Sequence, residues 1–474
     1  MAIVNGTSGS DVITPIFISI GVNGQPTAAA DQINAGAGDD FISGGAGNDS
    51  IDGGSGIDTV AYSDASAGVN VSLATGLATG GAGSDTLTAI ENIVGSDFAD
   101  NITGNSGSNS LRSDGGNDTF IGTAGNDTLN GGTGSDDAAN YSLIGAAVTL
   151  SAQGVLNKGA LLGTDTLIGI ERIIGSNLLG DTVDLSGAIA PATSTTANLT
   201  TGLISINGPS GVLLINGTPL SFSVSQFENV TGSSLADTIT GNSSDNILLG
   251  GNGNDTLNGG AGNDTLNGGA DIDTASYIDA AAAVSVSLTT GTASGGAGSD
   301  TLIAIENVTG SNFADTITGN TGVNILSGGD GNDLISGGLG SDFITGNAGK
   351  DTLLGGADND IDTFVFTSFS DSLLANFDTV GDFSSFDIID RSGQFAASIN
   401  TSNGIAAGLL ASQISAILNN FSFTANSTRA FTAIGFSGTF VAFNDGAAGF
   451  NEFSDSIVHL PSFNLGGTNT ITIA

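Results

Sequence analysis

Apolar residues recur through much of this chain at a spacing of nine, each flanked by polar residues. Thr256-Leu257-Asn258 and Thr265-Leu266-Asn267 are two consecutive examples. Side chains alternate between the two faces of a strand, so only the middle residue of such a triplet can point to an interior. The spacing therefore predicts very short strands joined by six-residue turns, with one buried apolar side chain for every nine residues.

A longer period is superimposed on the first. Residues 58–107 align without gaps to residues 273–322 with 35 identities in 50 positions, and degenerate versions cover 137–184 and 198–241. Each block contains an alternating apolar segment, such as Val69, Val71 and Leu73, which is typical of longer strands. The Asn216-Gly217 pair predicts an additional hairpin turn. Four blocks of longer strands are thus expected to interrupt the short ones.

The pattern changes after Gly356. Sixteen of the 24 phenylalanines lie between Phe364 and Phe463, which predicts an aromatic core of ordinary type in this part of the chain. Apolar residues at helical spacing predict a helix over 405–418. The segment 364–474 is therefore expected to form a small capping domain.

The turns between the triplets follow the pattern Gly-Gly-x-Gly-x-Asp-x-apolar-x. Clean copies begin at residues 44, 53, 80, 250, 259, 295, 328 and 337, and looser copies begin at 35, 113, 122, 131, 346 and 355. Glycine permits positive φ and close approach of the backbone, so six residues can turn tightly with their carbonyls inward. The Asp adds a carboxylate, and oxygen is the ligand atom that Ca²⁺ prefers.

Charge supports a cationic partner. The chain has 47 acidic and 6 basic residues, a formal net charge of -41 and a mean hydropathy of +0.22. This charge argues against binding to nucleic acid or to an anionic membrane. No apolar segment approaches the length needed to span a bilayer. Residues 1–15 lack a basic-then-apolar pattern, so a cleaved secretory signal is not expected.

The residue types needed by several kinds of site are missing. The chain has no cysteine, and His459 is its single histidine. Zinc sites of the Cys/His type, thiol chemistry and a Ser-His-Asp triad all lack their side chains. No GxxxxGK[ST] phosphate loop occurs either. We therefore expect a protein that is not an enzyme.

The tandem nonapeptides resemble the repeats-in-toxin (RTX) family of calcium-binding proteins. The resemblance implies an all-β parallel β-roll, or β-solenoid, in which two nonapeptides form one coil and Ca²⁺ ions bind at the glycine-rich turns. It also implies export by type I secretion without a cleaved N-terminal signal, and folding outside the cell where calcium is abundant. The C-terminal segment is similar to a domain found on cyanobacterial RTX-type proteins.

The aspartate that ends each turn is the candidate metal ligand. These residues are Asp40, Asp49, Asp58, Asp85, Asp118, Asp127, Asp136, Asp255, Asp264, Asp273, Asp300, Asp333, Asp342, Asp351 and Asp360. The alternative is an Asx-turn in a solvated loop, which would not require three glycines at fixed offsets. Asp100, Asp237 and Asp315 end turns that lack the later glycines, so weak or half-formed calcium sites are expected there.

One glutamate recurs in each block, at Glu91, Glu171, Glu228 and Glu306. Paired carboxylates invite a catalytic interpretation. Their recurrence once per block favours a repeated structural task instead, either bonding a backbone turn or closing a calcium shell.

The combined patterns predict five segments: a lead at 1–34, a β-roll with the first long block at 35–136, degenerate blocks with the inserted hairpin at 137–241, a second β-roll at 242–363, and the C-terminal cap with the secretion signal at 364–474. Whether the blocks form one continuous solenoid is left open. The repeats leave little room for a catalytic unit of common size.

The first functional hypothesis is a secreted calcium-binding structural protein that self-assembles into a surface layer, sheath or filament. The alternatives are a monomeric adhesin or matrix protein that binds cell-surface polysaccharide and an enzyme acting on acidic polysaccharide.

Overall fold

The computed structural model describes residues 1–188, 194–208, 211–212, 214–215, 218–219, 221–357, 360–366, 378–383, 387–390, 405–407, 428–434, 439–443, 456–460 and 472–473. All regular secondary structure in these ranges is β-strand, so they contain no helix that could cross a membrane. Contacts divide the chain into two compact units, Met1–Leu235 and Ala236–Ala474.

The predicted coil of two nonapeptides is confirmed in the first unit. Ile33 lies opposite Ile51 in one parallel sheet, and Ile42 lies opposite Val60 in the other, each pair 18 residues apart. Successive nonapeptides therefore contribute strands to two sheets in turn. The first sheet contains Ile3–Asn5, Gln32–Ala37, Ser50–Ser55, Val69–Ser72, Leu77–Gly80, Gly83–Thr88, Asn101–Thr103, Thr119–Ile121, Ala138–Asn140, Arg172–Ile174, Ser194–Asn198, Leu203–Gly208, Gly211–Val212 and Ser221–Ser225. The second contains Val12–Ile13, Phe41–Ile42, Thr59–Ala61, Asn92–Val94, Ser110–Arg112, Thr128–Asn130, Thr149–Ser151, Val155–Asn157, Thr164–Ile168, Thr182–Asp184 and Asn229–Thr231.

A separate hairpin pairs Leu214–Ile215 with Thr218–Pro219 around the predicted turn.

The second unit repeats this organisation. Leu257 lies opposite Ala275 in one sheet and Leu248 opposite Leu266 in the other. One sheet contains Ala236–Thr240, Thr256–Asn258, Thr274–Ser276, Asn307–Thr309, Ile325–Gly331, Phe343–Gly349, Thr363–Val365, Ile388–Asp390 and Thr472–Ile473. The strands on the other side are Ile247–Asn252, Thr265–Ala270, Val284–Ser287, Thr292–Gly295, Gly298–Ile303, Thr316–Thr318, Leu334–Ser336, Thr352–Leu354, Asp378–Val380, Thr428–Ile434, Thr439–Phe443 and Ser456–Leu460, with Ile405–Ala407 paired to Thr428–Ile434.

The middle residue of each triplet forms the core, as the alternation predicts. Ile33, Leu257 and Leu266 are completely buried, while their polar neighbours are partly exposed. Each nonapeptide thus contributes one apolar side chain to a narrow interior between the two sheets.

Each long block is a hairpin built into a roll. Leu77–Gly80 pairs antiparallel with both Val69–Ser72 and Gly83–Thr88, and these two outer strands pair parallel with neighbouring coils. On the opposite sheet, Thr59–Ala61 pairs directly with Asn92–Val94. A block therefore adds two extra strands to one sheet without interrupting the other.

Part of the predicted helix at 405–418 is wrong. Ile405–Ala407 is a strand that pairs parallel with Thr428–Ile434, because edge pairing in a sheet overrides the helical spacing of apolar residues there. The rest of that prediction, 408–418, lies outside the described residues.

Candidate metal centre

The turn aspartates form ladders of hydrogen bonds along each roll. The backbone N–H of Asp237 donates to Oδ1 of Asp255, and that of Asp255 donates to Oδ1 of Asp273, both at 2.8 Å. The same bond recurs at 18-residue spacing in the regular coils, and in three of them the donor is the backbone N–H of an asparagine, Asn109, Asn246 or Asn324. Of the predicted ligands, the ladders include Asp40, Asp49, Asp58, Asp85, Asp118, Asp127, Asp255, Asp264, Asp273, Asp300, Asp333, Asp342 and Asp351, all of which are buried.

Two predicted residues lie outside the ladders. The backbone N–H of Asp118 donates to Asp137, 19 residues on, and that of Asp342 donates to Asp362, 20 residues on. The turns that end at Asp137 and Asp362 are longer than the regular ones. The ladder position is therefore taken by these two residues, and Asp136 and Asp360 are both exposed. Asp136 instead accepts a hydrogen bond from Arg172 Nε at 3.0 Å.

The ladders also include aspartates that the glycine pattern does not predict, because their turns have lost it. They are Asp11, Asp31, Asp165, Asp181, Asp378 and Asp387. Most of them precede a polar-apolar pair in register with a neighbouring coil, and that register is the signal that could have identified them.

The block glutamates extend the ladders where a hairpin is inserted. Oε2 of Glu91 accepts the backbone N–H of Asp58 at 2.8 Å, and Oε2 of Glu306 accepts that of Asp273 at 2.9 Å. Glu171 and Glu228 do the same for Asp137 and Asp181. The glutamate takes the place that an aspartate occupies in a regular coil, which supports the structural interpretation of bonding a turn.

Many ladder aspartates keep one carboxylate oxygen open. Within the described part of the chain, the buried Oδ2 has no hydrogen-bond partner in Asp40, Asp49, Asp58, Asp137, Asp255, Asp264, Asp273 and Asp333. A buried carboxylate oxygen without a donor costs free energy unless a cation neutralises it. These oxygens are therefore candidate points of attachment for a metal.

The residue at the second position of the turn influences whether this oxygen is open. In the turns of Asp58 and Asp264 it is a glycine with φ of +97° and +92°. In the turn of Asp100 it is Ser96, whose backbone N–H donates to Oδ2 at 2.6 Å and whose hydroxyl donates to Oδ1 at 2.7 Å. The corresponding serine, Ser311, bonds Asp315 in the same way. The turns with serine thus satisfy their carboxylate internally.

The first glycine of the turn makes room for the carboxylate. A Cβ added to Gly250 would lie 2.2 Å from Oδ2 of Asp255 and 2.5 Å from the main-chain oxygen of Gly268 in the next coil. One carboxylate oxygen and one carbonyl oxygen therefore converge on the space that the missing side chain leaves. Gly259 has the same relation to Asp264.

Burial makes these carboxylates difficult to ionise without a cation. Burial, with a smaller contribution from the neighbouring carboxylates of the ladder, raises the pKa of Asp255 and Asp333 to about 7. The pKa values of Asp49, Asp127, Asp137, Asp264 and Asp273 are raised to about 6, with burial again the largest cause. Donation by the backbone N–H groups opposes this effect only in part.

The donor set fits calcium. No cluster of three or more Asp, Glu, His or Cys side chains suited to a metal occurs among the described residues. A metal shell in these turns must therefore take main-chain carbonyl oxygens in addition to its carboxylates. Ca²⁺ accepts six to eight oxygen ligands of this mixed kind in flexible geometry, whereas zinc would require nitrogen or sulfur ligands in most sites.

The first glycine offers a direct test. Gly259→Ala is expected to lower the free energy of unfolding in calcium by about 1–3 kcal/mol, because the new Cβ overlaps Oδ2 of Asp264, 2.2 Å away. Gly145→Ala is the control, since a Cβ there meets nothing within 4 Å. Thermal or denaturant unfolding in saturating calcium measures both variants. Equal stability of the two would show that the turn does not need its first glycine.

Comparison with protein families identifies these turns. The model of the RTX calcium-binding nonapeptide repeat matches residues 27–60, 90–120, 112–138, 231–266, 240–275, 309–344 and 328–362. Comparison with curated proteins yields no match. The matched ranges contain most of the ladder aspartates described above, and RTX nonapeptide repeats bind Ca²⁺ at multiple sites. The chain therefore contains RTX calcium-binding nonapeptide repeats.

Proposed function

We propose that the ladder aspartates hold the calcium ions. The aspartates with an open Oδ2 supply the strongest support, and Asp118, Asp342, Asp351 and Asp362 occupy the same register. Asp85 and Asp300 would contribute as the next-coil partners of Asp49 and Asp264. Asp137 and Asp362 replace Asp136 and Asp360 in this assignment, because the longer turns move the ladder position by one and two residues.

The folded protein is, in this proposal, a non-enzymatic structural component of the cell exterior that assembles with further copies of itself into a layer, sheath or filament. The main support for this proposal is the extent of the rolls. Strands of the two rolls recur along the described chain from Ile3 to Val365. Most of the described chain is thus scaffold. RTX repeat proteins are generally secreted, and type I export by a C-terminal signal is the route we propose.

Exposed apolar side chains near the first coil support self-association. Ile16 and Ile20 are 93% and 103% exposed, and Phe17 is 58% exposed. Covering such a cluster with a second copy would remove apolar surface from water. The strand Ile3–Asn5 of the same unit pairs with Gln32–Ala37, its one parallel partner among the described strands.

Electron microscopy and sedimentation in millimolar calcium test the assembly. Ordered polymers are expected for the wild-type chain, together with weaker assembly of an Ile16→Asp/Ile20→Asp variant. Leu143→Asp is the control, since Leu143 is 80% exposed elsewhere in the same unit. A wild-type protein that stays monomeric in calcium would contradict assembly and favour the monomeric adhesin, whose polysaccharide binding can then be measured directly.

A further inference from the structure

One coil of the first unit contains a buried ammonium group. Lys158, one of two lysines in the chain, is completely buried. Its Nζ donates to the main-chain oxygen of Thr123 at 2.6 Å, lies 3.4 Å from Oδ2 of Asp127, and bonds Oδ1 of Asp165. Three oxygens, two of them from carboxylates, thus surround this nitrogen.

Two of the other hairpin coils have the same aspartate pair without the lysine. The backbone N–H of Asp127 donates to Asp165 at 3.0 Å, as that of Asp264 donates to Asp300 at 3.0 Å. In Asp264, however, Oδ2 has no hydrogen-bond partner within the described ranges, and the same holds for Asp49 in its pair with Asp85. The ammonium therefore contacts the oxygen that is open in both counterparts.

A longer hairpin turn admits the lysine. Leu156 lies opposite Asp165 as Ala78 lies opposite Asp85, so Lys158 takes the register position of Gly80. At Gly80 itself a Cβ would meet the main-chain oxygen of Gly68 at 2.3 Å. The turn in the Lys158 hairpin is two residues longer than its counterpart, which gives the side chain a path into the coil.

We propose that the Lys158 ammonium is the permanent cation of the coil between Asp127 and Asp165, and that this coil binds no calcium. Ca²⁺ requires oxygens at about 2.3–2.6 Å, so an ion held by Asp127 and Asp165 would overlap Nζ and repel its charge. The inference rests on the proposed role of the other ladder aspartates as calcium ligands. The lysine would thus neutralise the carboxylates of this coil whether or not calcium is present.

A matched pair of substitutions tests the proposal by counting bound calcium in equilibrium dialysis at millimolar calcium. Asp264→Asn is expected to bind at least one ion fewer than the wild type, while Asp127→Asn is expected to bind the same number. An equal loss in both variants would overturn the role of Lys158. A loss in neither would instead refute the calcium role of the ladder aspartates.

Removing the lysine tests the same idea in the opposite direction. Lys158→Met keeps the length of the side chain without its charge, and we expect this variant to bind one calcium ion more than the wild type. Lys350→Met, at an exposed lysine, is the control and should leave the count unchanged. A folded Lys158→Met protein with the wild-type count would overturn the proposal. If the variant does not fold, the Asp127→Asn and Asp264→Asn counts decide.

Discussion

Removing calcium at pH 8 is expected to unfold most of the β-structure, and restoring calcium is expected to recover it. Each nonapeptide buries one apolar side chain, such as Leu257 or Leu266, which offsets too little of the conformational entropy of a glycine-rich segment. The ionised ladder carboxylates also repel one another when no cation lies between them. Metal binding and folding should therefore be coupled, as in other small metal-dependent domains.

Far-UV circular dichroism during a calcium titration, followed by chelation, measures this transition. Magnesium is the control ion. It is smaller, demands near-ideal octahedral geometry and gives up its water reluctantly, so it should not restore the β-signal at the same concentration. An unchanged β-spectrum in excess chelator would contradict the coupling of folding to calcium.

Protonation of the ladder carboxylates is expected to stabilise the fold in part when calcium is absent. The calcium-free chain should gain β-structure as the pH falls from 8 towards 5. Burial raises the pKa of Asp255 and Asp333 to about 7 in the folded rolls, against about 3.9 for Asp in an unfolded chain. A raised folded pKa means that the folded state binds the proton more tightly. Its stabilising contribution is complete below about pH 4 and is lost as the pH rises through 7.

Calcium-depleted protein, followed by circular dichroism across this pH range, provides the test. Asp255→Asn makes one ladder position permanently neutral, so its calcium-free form should be more stable than the wild type at pH 8 and should respond less to acid. Asp97→Asn, at an exposed aspartate, is the matched control. With calcium bound the dependence should reverse, because protons compete with the ion for the same oxygens. Calcium-free protein that stays equally unfolded at pH 5 and pH 8 would refute the prediction.

The fold could be predicted from the sequence because its determinants are local and repeated. A triplet such as Thr256-Leu257-Asn258 has one side chain suited to an interior, and glycines fix the turn on either side of it. Two such units must then stack at 18-residue spacing to bury that side chain, and Ile33 opposite Ile51 confirms the register. The longer strands of each block were likewise visible as an alternation of apolar residues, whereas their antiparallel pairing into hairpins was not predicted.

The ladder positions of the candidate site were predictable where the turn has regular length, and they were missed where the turn is longer or has lost its glycines. The sequence pattern selects Asp136 and Asp360 as the ends of their turns. Strand pairing instead places Asp137 and Asp362 in the ladder, because the inserted residues lengthen the turn and leave the pairing of the strands unchanged. Asp165 was missed for a related reason. It lies on a hairpin strand, and only the pairing of that strand brings it to Asp127.

The sequence by itself determined the repeat, the strand length, the calcium chemistry and the two-sheet coil, since each depends on residues within nine or eighteen positions of one another. Tertiary structure alone decided which carboxylate oxygens stay open, that Glu91 accepts the backbone N–H of Asp58, and that Lys158 lies between Asp127 and Asp165. These contacts join residues about 30 or more positions apart or depend on the exact path of a turn. A local pattern contains no information about which distant group will occupy the space beside a buried charge.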